Sequence, residues 1–364
     1  MQKLRKATDE FIRVISLPSS TKDELNKALQ ECYKCFDDST DEEILVFMKR
    51  VFGLHNLPDM ERASTATIIC GYLVERGFSS DSILHPLIDL YDNLLDCSRT
   101  FYELLFTEIE NVKEEDDEKR DEIINKVFAD LVSDRSRISQ ATYNAVVGLD
   151  KFYACAVSVF SISKSNFFAA KTRLADKIAF AGQYNQGCYW LNELFGVLFD
   201  EPVTVIDIDR NIGFTGKISG IVDNTQLQYL LMGIPFMNDG KSAVSEEIHS
   251  VFDGTGPQQL EKVSAQSKWN MYNLELCRQP DWEQLINNEK NQSVARSFTD
   301  CWIWGEGIPS DISIHNGRRV ILLGLPSYSR SSTIQRTFRN LKAGIEIEKE
   351  LTEEEIKDWL YYTI

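Results

Sequence analysis

Glu201-Pro-Val-Thr-Val-Ile-Asp-Ile-Asp-Arg-Asn-Ile-Gly-Phe-Thr-Gly-Lys-Ile-Ser-Gly-Ile221 is the stretch at which the chain changes character. Two short β-branched runs, Val203–Asp209 and Phe214–Ile221, flank Arg210-Asn-Ile-Gly213, whose Asn and Gly suit a turn. The pattern predicts a β-hairpin. Before it, apolar residues recur at helical spacing; after it, strand-like and helix-like segments alternate. The expected class is therefore α+β, with an all-α array over 1–199 and a mixed α/β domain over 200–364.

Upstream, the breaks carry helix punctuation. Thr21 with Glu24 has capping-box spacing, and Thr40 or Asp41 can cap the run Glu42–Phe52. Ala63, Ala66, Cys70, Leu73 and Val74 fall on one helical face that stops at Gly77. Ile83 to Leu95 forms the next stripe, with Pro86 near its start, so an antiparallel pair joined by a tight turn is expected. A stack of such pairs would be similar to HEAT-like arrays, although no fixed period is present. The acidic segment Val112–Arg120 lacks an apolar face and reads as a solvated helix end or loop.

Downstream, Asp223 with Gln226 marks the start of a helix through Met232. Strands are expected at Thr299–Trp304, Val320–Gly324 and Ile345–Lys349, and a last helix after the Thr352-x-x-Glu355 box.

Composition limits the functional classes. With 43% apolar and 26% charged residues, the 364-residue chain has the usage of a globular protein. Its 39 Lys and Arg against 56 Asp and Glu leave a net charge of −17, which disfavours nucleic acid and anionic membranes and favours a basic protein partner. Charges interrupt the apolar residues of Met1–Ile15, so no signal peptide is expected there, and no run reaches transmembrane length. Scattered cysteines fit reduced core thiols of a cytoplasmic protein.

Each catalytic motif meets a plainer reading. Cys32-x-x-Cys35 lacks a second ligand pair and reads as helix packing. Gly240-Lys241-Ser242 lacks the opening glycine of a phosphate loop. Asp207-x-Asp209 has the alternation of paired magnesium ligands, yet the strand turns back at once, as expected of hairpin-flanking aspartates. Glu246-x-x-His249 has no second copy to complete a di-iron set. No metal or cofactor is expected.

The charge anomaly lies between Gly317 and Ile345, where Arg318, Arg319, Arg330, Arg336, Arg339 and Lys342 occur without a carboxylate. Arg318, Arg319 and Arg330 are the candidate anion-binding residues, Arg330 within the hydroxyl-rich run Pro326–Thr333. The plainer alternative is pairing within the chain, for example with the acidic stretch Ala343–Ile364. Just upstream, Trp302 and Trp304 share a strand face and read as core. Were the protein an enzyme, Glu306, Asp311 or His315 would supply acid/base chemistry.

The C-terminal half resembles an uncharacterised bacterial protein family in three segments: Ser219–Gln226, Trp302–Pro309 and Leu322–Arg330. That resemblance implies no activity. The functional expectation is a cytoplasmic protein that binds another protein, as an immunity-type inhibitor or a scaffold. The alternative is an enzyme or receptor for a small anionic ligand, with its site in the C-terminal domain.

Overall fold

A computed structural model describes residues 2–110, 112, 117–274, 302–324 and 330–361. The chain divides into two compact units, Met1–Phe195 and Gly196–Ile364. It has an N-terminal helical region followed by a sheet-containing domain, an α+β arrangement.

The helical region comprises α1 (Gln2–Ser16), α2 (Lys22–Phe36), α3 (Asp41–Phe52), α4 (Met60–Glu75), α5 (Leu84–Ile109), α6 (Asp117–Ser133), α7 (Gln140–Ser161), α8 (Lys164–Ala181) and α9 (Gln186–Gly196). Local chemistry sets the starts. Thr21 and Thr40 form complete capping boxes with Glu24 and Glu43, satisfying amides that a helix N-terminus otherwise leaves open. Pro86 falls in the first turn of α5, where no intrahelical donor is required.

Packing departs from the expected hairpin of α4 and α5. These sequence neighbours meet mainly through α7, which packs extensively against both. Gly71 explains the closeness of α4 to α7: a Cβ there would lie 2.9 Å from the Cys155 Cα. Periodicity shows which face of each helix is apolar, whereas this close approach selects a partner some 80 residues away in sequence.

The second unit contains β1 (Glu201–Asp207), β2 (Ile212–Ser219), α10 (Asn224–Met232), α11 (Glu246–Asp253), β3 (Gln259–Gln266), β4 (Asn270–Asn273), β5 (Ile314–His315), β6 (Arg318–Gly324), β7 (Ser331–Gln335), β8 (Gly344–Glu350) and α12 (Glu353–Tyr361). The hairpin is β1–β2, in register from Glu201↔Ile218 to Asp207↔Ile212. The main sheet runs β4-β6-β1-β2-β8, with β5 also on β6, and β3–β7 form a separate ribbon. β1 and β6 are parallel at the centre; the other pairings are antiparallel.

Those central strands are covered on both sides, which accounts for their nearly continuous apolar sequences. Val203, Val205, Ile321 and Leu323 join the cluster containing Leu227, Leu230 and Phe252. Ile206, Val320 and Leu322 join Tyr272 and Ile356 in another. Expected strands at Val320–Gly324 and Ile345–Lys349 correspond to β6 and β8. Of Thr299–Trp304, residues 299–301 lie outside the described residues, while Trp302 bridges to Tyr272. Residues 113–116 of the acidic segment and 326–329 of the hydroxyl-rich run also lie outside them. No helix among the described residues is long and apolar enough to cross a membrane.

Candidate functional site

The site begins at the entry to α10. Asp223 caps the helix by accepting from the Gln226 amide at 2.7 Å, and Gln226 Oε1 accepts from Val222 N at 2.8 Å. Burial pushes the Asp223 carboxyl above its ordinary pKa against the lowering effect of its backbone hydrogen bonds, and the neighbouring Glu306 charge adds to the rise.

The first amides of α10 are spent on a loop from further along the chain. Asn224 N donates to Gly307 O and Thr225 N to Gly305 O, each at 2.9 Å. Asn224 Nδ2 donates to Trp304 O at 2.9 Å. This clamp displays the side chains on either side of Gly305.

Trp304 is 46% exposed. Trp302 meets its ring edge-on at 5.2 Å between centroids, and the Arg330 guanidinium carbon stands 4.9 Å from the Trp304 centroid, within cation–π range. Arg330 Nη1 donates to Glu306 Oε2 at 3.3 Å. The Arg330 backbone is tied to Ser267, whose hydroxyl accepts from Arg330 N at 3.2 Å and whose amide donates to Arg330 O at 2.9 Å. Around these groups is an open cleft of about 300 Å³, also lined by Thr225, Gln228 and Ser332. The arrangement offers an aromatic surface, a positioned guanidinium and hydroxyl groups. With Glu306 81% exposed at its side chain, the ion pair belongs to a class worth about 0.2–1 kcal/mol.

The structure separates the candidate residues. Arg330 and Glu306 come together; Arg318, Arg319, Asp311 and His315 do not line this cleft. Arg318 donates to Val203 O and Gly216 O at 3.3 and 3.2 Å and pairs with Glu348 at 2.9 Å. The Lys217 ammonium and this guanidinium hold the Glu348 carboxyl below the ordinary carboxylate range. Arg319 is buried, with Nε 2.8 Å from Glu201 Oε1 and Nη1 donating to Ser310 O and Ile312 O. The two guanidiniums thus tie strands and turns together, apart from the cleft that Arg330 lines. Asp311 is exposed at the end of the single turn Pro309–Asp311, and His315 packs its ring against Trp359 at 6.0 Å.

The weaker motifs resolve into packing. Cys32 is buried in α2 and desolvation pushes its thiol up to about 12, a poor nucleophile or ligand. Among the described residues no group of His, Cys, Asp and Glu is arranged to hold a metal. Asp207 closes the hairpin turn: it accepts from Arg210 N at 3.1 Å and from the Trp269 indole at 3.2 Å. Gly240 to Ser242 form an exposed loop, and His249 contacts Asp253 at 3.3 Å on α11.

The cleft residues missed in sequence are Thr225 and Gln228, on one helix, and Ser267, some forty residues on, whereas Ser332 belongs to the hydroxyl-rich run around Arg330. No family model, curated protein or solved structure matches this chain.

Proposed function

We propose that this chain works in the cytoplasm by binding another protein, as an immunity-type inhibitor or scaffold, and that the Trp304 cleft is where the partner is gripped. The observation carrying this reading is the half-exposed Trp304 ring beneath the Arg330 guanidinium. Trp and Arg dominate the energetics of protein interfaces because each offers large contact area at little entropic cost per bond. The cleft is open, where small-molecule sites enclose most of their ligand, so it suits a protruding side chain or loop. The net charge of −17 favours a partner that is basic overall and disfavours nucleic acid. The three segments that carry the resemblance contribute Thr225, Trp304 and Arg330 to the lining of one cleft, which supports a common site.

A photo-crosslinking residue at Ser332, on the cleft rim, is expected to capture one protein stoichiometrically from native lysate, and the same residue at Lys241 none. Trp304→Ala is expected to cost about 2 kcal/mol of affinity for that protein, roughly thirtyfold. Equal capture with and without the indole would retire the reading. The second reading, a receptor for a small anionic ligand, draws on the same Arg330 and the hydroxyl-lined volume.

A further inference from the structure

We infer that the cleft accepts a carboxylate, which takes the place of Glu306 on the Arg330 guanidinium; the inference rests on the cleft being the recognition site. Glu306 already shows that a carboxylate can meet Arg330 here. The two partners are held very differently. Arg330 is tied through its backbone to Ser267 and lies over the Trp304 ring, so its guanidinium is positioned before any ligand arrives. Glu306 stands between Gly305 and Gly307, is 81% exposed, and touches Arg330 at 3.3 Å, longer than the roughly 2.7–2.9 Å of a strong charge-assisted bond. The contact to Glu306 runs from Nη1 to a single carboxylate oxygen.

The surroundings select the ligand class. Thr225 and Ser332 line the cleft with hydroxyls able to serve the remaining oxygen lone pairs. Glu306 lines the cleft and its carboxylate stands beside the position a ligand would take. A singly charged carboxylate meets less repulsion there than a doubly charged phosphate. At physiological ionic strength the distant acidic surface is screened beyond about 8 Å, leaving the local groups to decide. Arg318 and Arg319 are engaged with Glu348, Glu201 and backbone carbonyls, so Arg330 is the member of the basic stretch that turns to this cleft.

The test uses the full chain and follows the Arg330 Nε–H and Trp304 indole N–H resonances by NMR, identified with Arg330→Lys and Trp304→Phe. The probes are propionate, an acetylated and amidated Gly-Glu-Gly-Glu-Gly peptide, and inorganic phosphate. Propionate or the peptide is expected to shift both resonances saturably. Glu306→Gln is expected to bind that probe about fivefold more tightly, and Arg330→Lys to lose most of the binding. Saturable binding of propionate identifies a free small carboxylate as sufficient; binding of the peptide without propionate identifies a protein carboxylate.

Unchanged or weaker binding by Glu306→Gln would overturn the exchange, as would unchanged binding by Arg330→Lys. Phosphate binding more tightly than either carboxylate would overturn the ligand class, and no shift with either carboxylate would overturn the inference outright. If that happens while the Ser332 crosslinker still captures a partner, the exchange fails and the protein-binding reading stands. Carboxylate binding without any captured protein has the opposite meaning.

Discussion

Arg336→Met is expected to lower the stability of the second unit by about 3–5 kcal/mol, the usual cost of stranding partners of a buried charged group. Arg336 is 7% exposed and works as a hub for main-chain oxygens. Its Nη1 donates to Val251 O at 2.6 Å and Pro257 O at 2.8 Å, and its Nη2 to Gly256 O at 3.1 Å and Arg339 O at 2.8 Å. Burial pulls the guanidinium below its ordinary pKa, with the Asp253 charge opposing that fall. Methionine replaces the aliphatic stem and none of the donors, so the carbonyls of Val251, Gly256, Pro257 and Arg339 lose their common partner. Urea unfolding followed by near-ultraviolet circular dichroism should show a lower midpoint with an unchanged slope. A loss below about 1 kcal/mol would mean that water satisfies these oxygens.

Gly220→Ala is expected to cost about 3 kcal/mol or more, through two effects that add. Gly220 has φ +70°, a left-handed conformation that penalises a side chain, and a Cβ there would lie 1.9 Å from Lys342 O. The neighbouring Ser219 pairs with Gly344, so relief of the clash requires β2 and β8 to separate at that end. The disturbance would continue into Asp223 and the start of α10, whose amides hold the Trp304 loop. Thermal unfolding measures the loss, and the Trp304 indole resonance should move in the folded variant. A variant that unfolds like the parent would show that the strands yield more easily than their register implies.

Legibility in the sequence followed the range of the interactions. Capping at Thr21, Thr40, Asp223 and Thr352, and the turn between β1 and β2, depend on residues within a few positions, and each was readable. The ribbon β3–β7 was not. Gln259–Gln266 is mostly exposed and polar, and its pairing partner Ser331–Gln335 lies some 65 residues on. The insertion of α7 between α4 and α5 likewise depends on a close contact invisible to periodicity.

The basic stretch shows the same limit at the site. Six cations without a carboxylate are plain in the sequence, but what Arg318, Arg319 and Arg336 meet is decided by Glu348, Glu201 and carbonyls from distant strands and loops. Trp304 read as core because strand alternation places it with Trp302; the clamp by Asn224 and Thr225 leaves its ring half outside. Proximity of Glu306 to Arg330, 24 positions apart, required the fold.

The most direct measurement of the division between structural and recognition cations is thermal unfolding of Arg319→Gln and Arg330→Gln side by side. Arg319→Gln should lower the midpoint by several degrees, because it removes a buried guanidinium from Glu201 and two carbonyls. Arg330→Gln should leave the midpoint within about a degree of the parent, since its ion pair is exposed. A loss from Arg330→Gln as large as that from Arg319→Gln would make Arg330 another strut of the fold and remove the basis for a recognition site at Trp304.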